Sequence, residues 1–418
     1  MTSESSGDGG GDWGGNSGTG FGSDNLSEGS GGDSFSEVSN SSWFSRLFNS
    51  IKQMLFGMVL FVIAFPLLFW NEGRAVHREQ DLAEGTSMAQ VVSPASVDPE
   101  YEGQLVYTTG EATSADTLAD DLFQISVEHA LKLHRTVEMY QWKERKEEKT
   151  ERQTGGSERK ITTYNYDKGW YDETIHSPSF RHPEGHENPP HKPIDNRSIE
   201  ASHVVLGAFT LPADLVGQIN NYEPRPIAED DRMKLNSELQ GKYRVIDGRF
   251  YFGHSPENPT VGDARISFSV VNPTVVSLVA KQQQSSFTTY ATHGNRTLYE
   301  LKIGNFSKDE FFHQLSQENT LMLWILRLVG WIVMYLGLAM VMNPIKVLAD
   351  VVPLIGSIAQ LGIGIFAGLI TIALSLVTIA IGWIFYRPIL AAVLIIVAIA
   401  LLGFVGFLVR KSRRRVAM

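Results

Sequence analysis

Between residues 321 and 409 only four side chains carry a charge: Arg327, Lys346, Asp350 and Arg387. No soluble core absorbs an apolar run of that length, so the chain reads as an integral membrane protein. Its punctuation divides the run. Asn343-Pro344 stops one helix, Pro353 opens the next, and Arg387-Pro388 makes a tight turn. The predicted spans are 321–342, 354–386 and 389–409. Another apolar stretch, 51–70, lies near the N-terminus, with Pro66 inside it and Trp70 at the headgroup level. Residues 354–386 are longer than one crossing requires. They are expected to form a tilted helix or one preceded by a short interfacial piece. Laid partly in the membrane plane, they would leave three spans instead of four.

The end of the chain, 410–418, contains Arg410, Lys411, Arg413, Arg414 and Arg415. Short basic flanks stay in the cytoplasm. Four spans then place the N-terminus there too, where Arg46 and Lys52 sit in an amphipathic lead-in, 43–53. Residues 72–320 become an extracytoplasmic domain. Ahead of the lead-in, residues 1–42 hold twelve Gly, twelve Ser, seven acids and no Lys or Arg. Such a composition cannot bury enough apolar surface to offset chain entropy, and it reads as a disordered cytoplasmic tail. Its aromatics Trp13, Phe21 and Phe35 are candidate stickers for a partner.

The large loop reads as mostly β, an α+β domain between the first and second helices. Residues 130–149 alternate, a charged run KERKEEKTER follows, and a Gly-Gly turn leads into 161–170, so a long hairpin is predicted with its charged tip in solvent. Further strands are expected at 104–109, 122–127, 202–210, 264–271, 274–281 and 297–303. Asp247-Gly248 between two short β patterns signals a type I′ turn. Pro212 starts a helical piece near 212–221. Ser307 and Glu310 form a capping box for a helix that runs on into the second span. Two similar pairs of pieces, 103–107 with 248–252 and 123–127 with 266–270, raise the question of an internal repeat.

Chemistry is harder to find. The net charge of −10 argues against a nucleic-acid binder, and zero cysteines exclude disulfides, thiolate metal sites and cysteine nucleophiles. No nucleophile elbow, phosphate-binding loop, dinucleotide fingerprint or HExxH occurs. His176, His182, His186 and His191 fall in a Pro-rich segment with Glu184 and Glu187. The prolines keep that stretch extended, so the histidines do not share a helical face, and no metal or cofactor is expected. The sharpest polar group is Glu72, Arg74, Arg327 and Arg387, all at or near the outer membrane face in this topology. Arg327 is about 9 Å inside its span and must snorkel or pair, with Glu72 as counter-ion. The cluster either staples the helices or holds an anionic lipid headgroup. Gly364 and Gly368 form a GxxxG pattern that predicts close helix packing.

At residues 65–76 the chain reads FPLLFWNEGRAV, an apolar helix ending in Trp-Asn-Glu-Gly-Arg. This closely resembles the LUMA family of four-span membrane proteins. Five more pieces agree in order: VEMYQWKE (137–144), GHENP (185–189), GRFYFGHSPENPTVGDARISF (248–268), LRLVGW (326–331) and GWIFYRP (382–388). The resemblance covers roughly residues 43–410. It implies cytosolic termini, a large lumenal or periplasmic loop and no established enzymatic activity. It also implies an endoplasmic reticulum or nuclear-envelope location in animals and the inner membrane in bacteria. The long Gly/Ser leader and the lack of cysteine suggest a bacterial or otherwise distant member.

The expected function is therefore a non-enzymatic scaffold in the bilayer. It would organise other membrane proteins, or copies of itself, through the extracytoplasmic domain. A lipid-binding or lipid-modifying protein using the basic cluster is the alternative.

Overall fold

The structure is a computed structural model that describes residues 33–153, 155–350 and 353–384. In the last apolar stretch it describes 392–393, 396–397 and 399–404. Residues 1–32, Arg387, the basic end 410–418 and most of the expected fourth span lie outside these.

The chain begins with β1 (Ser34–Ser41), α1 (Trp43–Met88), β2 (Gln90–Val91), β3 (Leu105–Ser114), β4 (Thr117–Asp120) and β5 (Ile125–Glu128). The long hairpin follows as β6 (Lys132–Arg152) and β7 (Glu158–Tyr171). Then come β8 (Arg197–Glu200), β9 (Val204–Leu206), β10 (Phe209–Leu211), α2 (Ala213–Val216) and β11 (Glu223–Arg225). Next are α3 (Glu229–Met233), α4 (Ser237–Lys242), β12 (Tyr243–Ile246), β13 (Arg249–Phe252), β14 (Ala264–Val271) and β15 (Thr274–Gln283). The domain closes with β16 (Ser286–Thr288), β17 (Tyr290–Ala291), β18 (Thr297–Leu298) and β19 (Glu300–Ile303). Helices α5 (Lys308–Val341), α6 (Asn343–Ala349) and α7 (Pro353–Trp383) follow.

Two sheets carry the domain. The larger runs β1-β7-β6-β14-β13-β12, with β11 on β14 and β8 on β6; the smaller runs β19-β15-β16-β10-β9-β3-β2, with β15 also paired to β3. Each has its own core. Phe209, Leu215, Val276 and Leu278 fill one, and Phe123, Val137, Phe250 and Ile266 fill the other. The β12–β13 turn has the expected geometry, with Asp247 and Gly248 both at positive φ. The two sequence look-alikes do not repeat in space. Residues 105–107 lie in β3 of the smaller sheet and 249–252 form β13 of the larger, while 125–127 sit in the small β4–β5 hairpin and 266–270 in the centre of β14.

Among the described residues three helices are long and apolar enough to cross a membrane: α1, α5, and Leu361–Trp383 within α7. The capping box of α5 forms as expected, and the helix continues without a break into its apolar part. α1 departs from the sequence reading, because it does not end at Trp-Asn-Glu-Gly-Arg. It runs 46 residues, and Gly73 is passed without interruption. No proline follows to stop it, and the polar continuation is held by packing. Leu82 and Ala89 of α1 join Phe311, Phe312 and Leu315 of α5 against Tyr107, Val279 and Leu298. The β domain is thus built onto the prolonged ends of two membrane helices.

A second departure concerns the tail. Residues 34–41 form β1, antiparallel to β7 from Ser34↔Asn165 to Ser41↔Glu158, so the segment expected to be disordered is a strand at its C-terminal end. Ser42 then caps α1. The hairpin tip is not free in solvent either. Arg46 near the start of α1 donates to the Gly156 carbonyl (2.5 Å) and pairs with Glu158 (2.8 Å).

From Arg46 to Glu72 the helix rises about 39 Å, and from Gln141 to Arg152 the hairpin extends about 36 Å. The ribbon β1–β7–β6 therefore descends the height of the apolar bundle. Nine of the ten residues 143–152 are charged. Hydrocarbon solvates neither such charges nor an open strand edge, so this flank of the bundle faces water or protein. Because β1 pairs with β7, residues 34–41 and 158–165 lie at one level. The expected division between a cytoplasmic 1–42 and an extracytoplasmic 72–320 does not describe them.

Candidate functional site

The centre of the upper bundle is an ion pair. Glu72 is fully buried on α1, and Arg327 on α5 is 9% exposed. Arg327 Nε and Nη2 donate to the two Glu72 carboxylate oxygens at 2.7 and 2.8 Å, a bidentate arrangement. The Trp383 indole N–H donates to the same carboxylate. The guanidinium also lies 4.7 Å from the Trp324 ring centre and 5.1 Å from that of Trp383. Two indole faces thus replace water around a charge that could not otherwise stay this deep.

Arg74 stands beside this pair but does not join it. It reaches Asn319 Oδ1 (3.2 Å) and Asn71 Oδ1 (3.4 Å). The two asparagines clamp the helices reciprocally, Asn71 donating to the Leu323 carbonyl and Asn319 to that of Ala75. Arg387 lies outside the described residues. An apolar-walled cavity of about 180 Å3 opens beside the pair, lined by Val76, Leu323, Trp324 and Trp383. Sequence reasoning found Glu72 and Arg327 but missed the residues that enclose them. Trp324 had a signal, since it stands three residues before Arg327 on the same helical face. Trp383 had none, because its contact depends on how α7 docks.

The glycines were misplaced. Gly364 and Gly368 face Tyr335, whose nearest atoms are 3.6 and 3.9 Å from where their Cβ atoms would be. The close approach lies between α1 and α5. A Cβ on Gly337 would stand 2.6 Å from the Phe61 nitrogen, and one on Gly57 would stand 2.7 Å from the Gly337 carbonyl oxygen. Both clashes are with backbone, so these two positions admit only glycine at this separation.

At the opposite end of the bundle, Arg46 joins four segments. Besides Gly156 and Glu158 of the hairpin it bonds Asp350, just after α6, at 2.7 Å, and Asp350 is 1% exposed. Trp43 donates to the Val347 carbonyl at 3.1 Å. A polar cavity of about 360 Å3 lies among Ser41, Arg46, Glu158, Lys346 and Asp350.

The histidines do not converge. His186 is buried, stacked on Tyr166 at 3.9 Å and edge-on to Trp142 at 4.7 Å. His182 stacks on Phe35 of β1 at 4.4 Å. Among the described residues no group of three or more His, Cys, Asp or Glu side chains could hold a metal ion.

An apolar bundle of three long helices, locked by a buried ion pair and prolonged into a two-sheet domain, defines a membrane protein with a large β-rich domain. Its family is established by comparison. The sequence pattern of the Transmembrane protein 43 family matches residues 139–388. The chain is 35% identical to rat Transmembrane protein 43 over 354 residues, covering 82% of this chain and 86% of the relative. It is 33% identical to the human protein over 373 residues, covering 86% and 90%. It is 31% identical to the Drosophila melanogaster homologue over 356 residues, covering 82% and 91%. The chain belongs to the Transmembrane protein 43 family, the LUMA family whose motifs it carries. No solved structure matches it.

Proposed function

We propose that this protein is a non-enzymatic membrane scaffold that organises membrane-protein complexes, or its own copies, around a fixed β domain. The observation that carries the reading is the charged ribbon beside the apolar bundle. Lipid cannot cover that flank, so in a bilayer another protein or a second copy must. The α1–α5 pair supports the same reading. Two unbroken helices transmit any force on the domain to the membrane without a hinge, as a scaffold requires. The bundle crosses the bilayer with residues 389–409 as its fourth span. The basic end 410–415 and the Arg46 end face the cytosol, and the β domain lies beyond Glu72.

Brominated lipid tests the flank. A fluorophore at Lys146 should resist quenching, while one at Leu55 on the exposed apolar face of α1 is quenched. Equal quenching would place the ribbon in lipid and end the proposal.

The second reading is lipid handling. The apolar cavity beside Arg327 favours it, because its walls suit an acyl chain and its floor a polar head. Lipid that co-purifies with the wild type and disappears in Trp324→Ala, with the oligomeric state unchanged, would favour this reading over the scaffold.

A further inference from the structure

Side chains alternate across a sheet, so the register of the larger sheet decides what its outer face carries. Phe35 opposes Tyr164, Trp142 opposes Lys168, Tyr140 opposes Trp170, Glu138 opposes Arg265, and Arg265 opposes Tyr251. All of these lie on one face. Val137, Phe250 and Ile266 lie on the other, over the core. The outer face is therefore a continuous band of aromatic and basic residues from Phe35 to Arg249.

One end of the band is already occupied by the chain itself. Phe35 is stacked on His182 and packs edge-on to Tyr166 at 6.0 Å, and Glu37 pairs with Arg181 at 2.5 Å. An aromatic residue and an acid two positions apart are thus held by aromatic rings and a guanidinium. The other end repeats that chemistry. A cavity of about 290 Å3 is lined by Trp170, Tyr251, Pro256, Arg249 and Arg265. Arg265 lies 4.6 Å from the Trp170 ring centre, and both arginines share a single carboxylate, Glu138, which leaves one positive charge uncompensated. A second cavity, of about 300 Å3, continues past Asp247 and Arg249 to Pro224 and Pro226.

The path of the chain points from the first end to the second. β1 runs toward the hairpin tip, so its upstream continuation runs the other way. The Asp33 carbonyl accepts from the Tyr166 amide, one step along β7 toward Trp170. From there the groove is about 20 Å away, counting four residues along the strand and three strand spacings across the sheet. Glu28, Asp24 and Phe21 stand within that reach on an extended chain, since twelve residues cover about 40 Å. They repeat the aromatic-plus-acid pattern of Phe35 and Glu37, with no basic residue anywhere upstream.

We propose that the Arg249–Arg265–Trp170 groove is a binding site for an acidic, aromatic extended segment, filled in this protein by its own residues 21–28. The tail then masks a partner-binding surface of the domain, and an acidic partner segment must displace it. The inference stands on register, charge and reach, and does not depend on the scaffold reading.

The chain has no cysteine, so an engineered pair reports cleanly. Full-length protein in mild detergent carrying Ser23→Cys with Ile246→Cys, whose native side chain lines the groove, should form an intramolecular disulfide. It should form at least about tenfold faster than Ser23→Cys with Thr117→Cys, on a strand packed against the other face. Adding Phe21→Ser, which cannot disturb the folded domain, should bring the rate down to that of the control. Arg249→Ala should do the same with the melting temperature unchanged. Equal rates for the two pairs, or insensitivity to Phe21→Ser and Arg249→Ala, overturns the proposal. Disulfides formed only between chains overturn the cis assignment and give the site to the tail of a second copy.

Discussion

The two ends of the helix bundle are both locked by an arginine, in opposite ways. At the upper end Arg327 and Glu72 sit on neighbouring membrane helices, saturate each other, and are enclosed by Trp324 and Trp383. At the lower end Arg46 divides its donors among a hairpin carbonyl, a hairpin carboxylate and Asp350. The upper lock joins helices to each other and is dry. The lower lock joins the helices to a strand ribbon and borders a polar cavity. A charge in an apolar helix must find one good partner, whereas a charge at the membrane edge can hold several loose ones.

The comparison breaks most readily at the top. Glu72→Gln or Arg327→Gln should each strand a buried charge and cost about 3 kcal/mol, somewhat less if water enters. The double mutant should cost clearly less than the sum in detergent thermal unfolding. Strict additivity would mean that the two do not act as a pair.

At the foot the same kind of change is smaller but shifts a position. Arg46→Gln should cost about 1 kcal/mol, because its partners keep access to water. It should also release the hairpin tip. A cysteine at Ser157 should label slowly with an impermeant reagent applied from outside the cell in the wild-type background. One at Ser237 in the exposed domain should label quickly. Equal labelling of the two in the wild-type background would sink the docked-tip arrangement.

Strand β1 allows a third comparison. Deleting residues 1–41 removes an eight-residue ladder and the Phe35 stack, and should lower stability by about 1–2 kcal/mol. Deleting only 1–32 should lower it less. A full-length loss from the shorter deletion would move the important contacts upstream of β1.

The smallest effect is a pH dependence confined to the β domain. Hydrogen bonds from Arg225, then the Ala228 amide and Lys234, outweigh burial and hold Asp231 well below the usual carboxylate range. Its contribution is therefore complete above about pH 4, the ordinary aspartate value, and is lost as the pH falls toward the lowered one. Asp231→Asn should flatten the stability curve below pH 4 and leave the membrane pair unaffected.

Much of the architecture was legible because its causes are local. Apolar length marks a membrane helix, alternation marks β6, β14 and β15, the Asp247-Gly248 pair sets a turn, and Ser307 with Glu310 caps α5. Glu72 and Arg327 were legible for an energetic reason, since a charge in hydrocarbon announces that it needs a partner. What was not legible was every feature that depends on a distant surface. α1 continues past Gly73 because Phe312 and Leu298 are there to pack on it. The Ser-rich segment 34–41 becomes a strand because the edge of β7 offers it a ladder, although nothing in its composition favours one. The close-packing glycines are Gly57 and Gly337, not the GxxxG pair, because which faces of two helices meet is decided by the whole bundle. Sequence by itself determined which segments leave water and which charges must be paired. Tertiary structure alone decided where the hairpin goes and what covers its face, since backbone hydrogen bonds and ring stacking carry no signature until the partner surface exists.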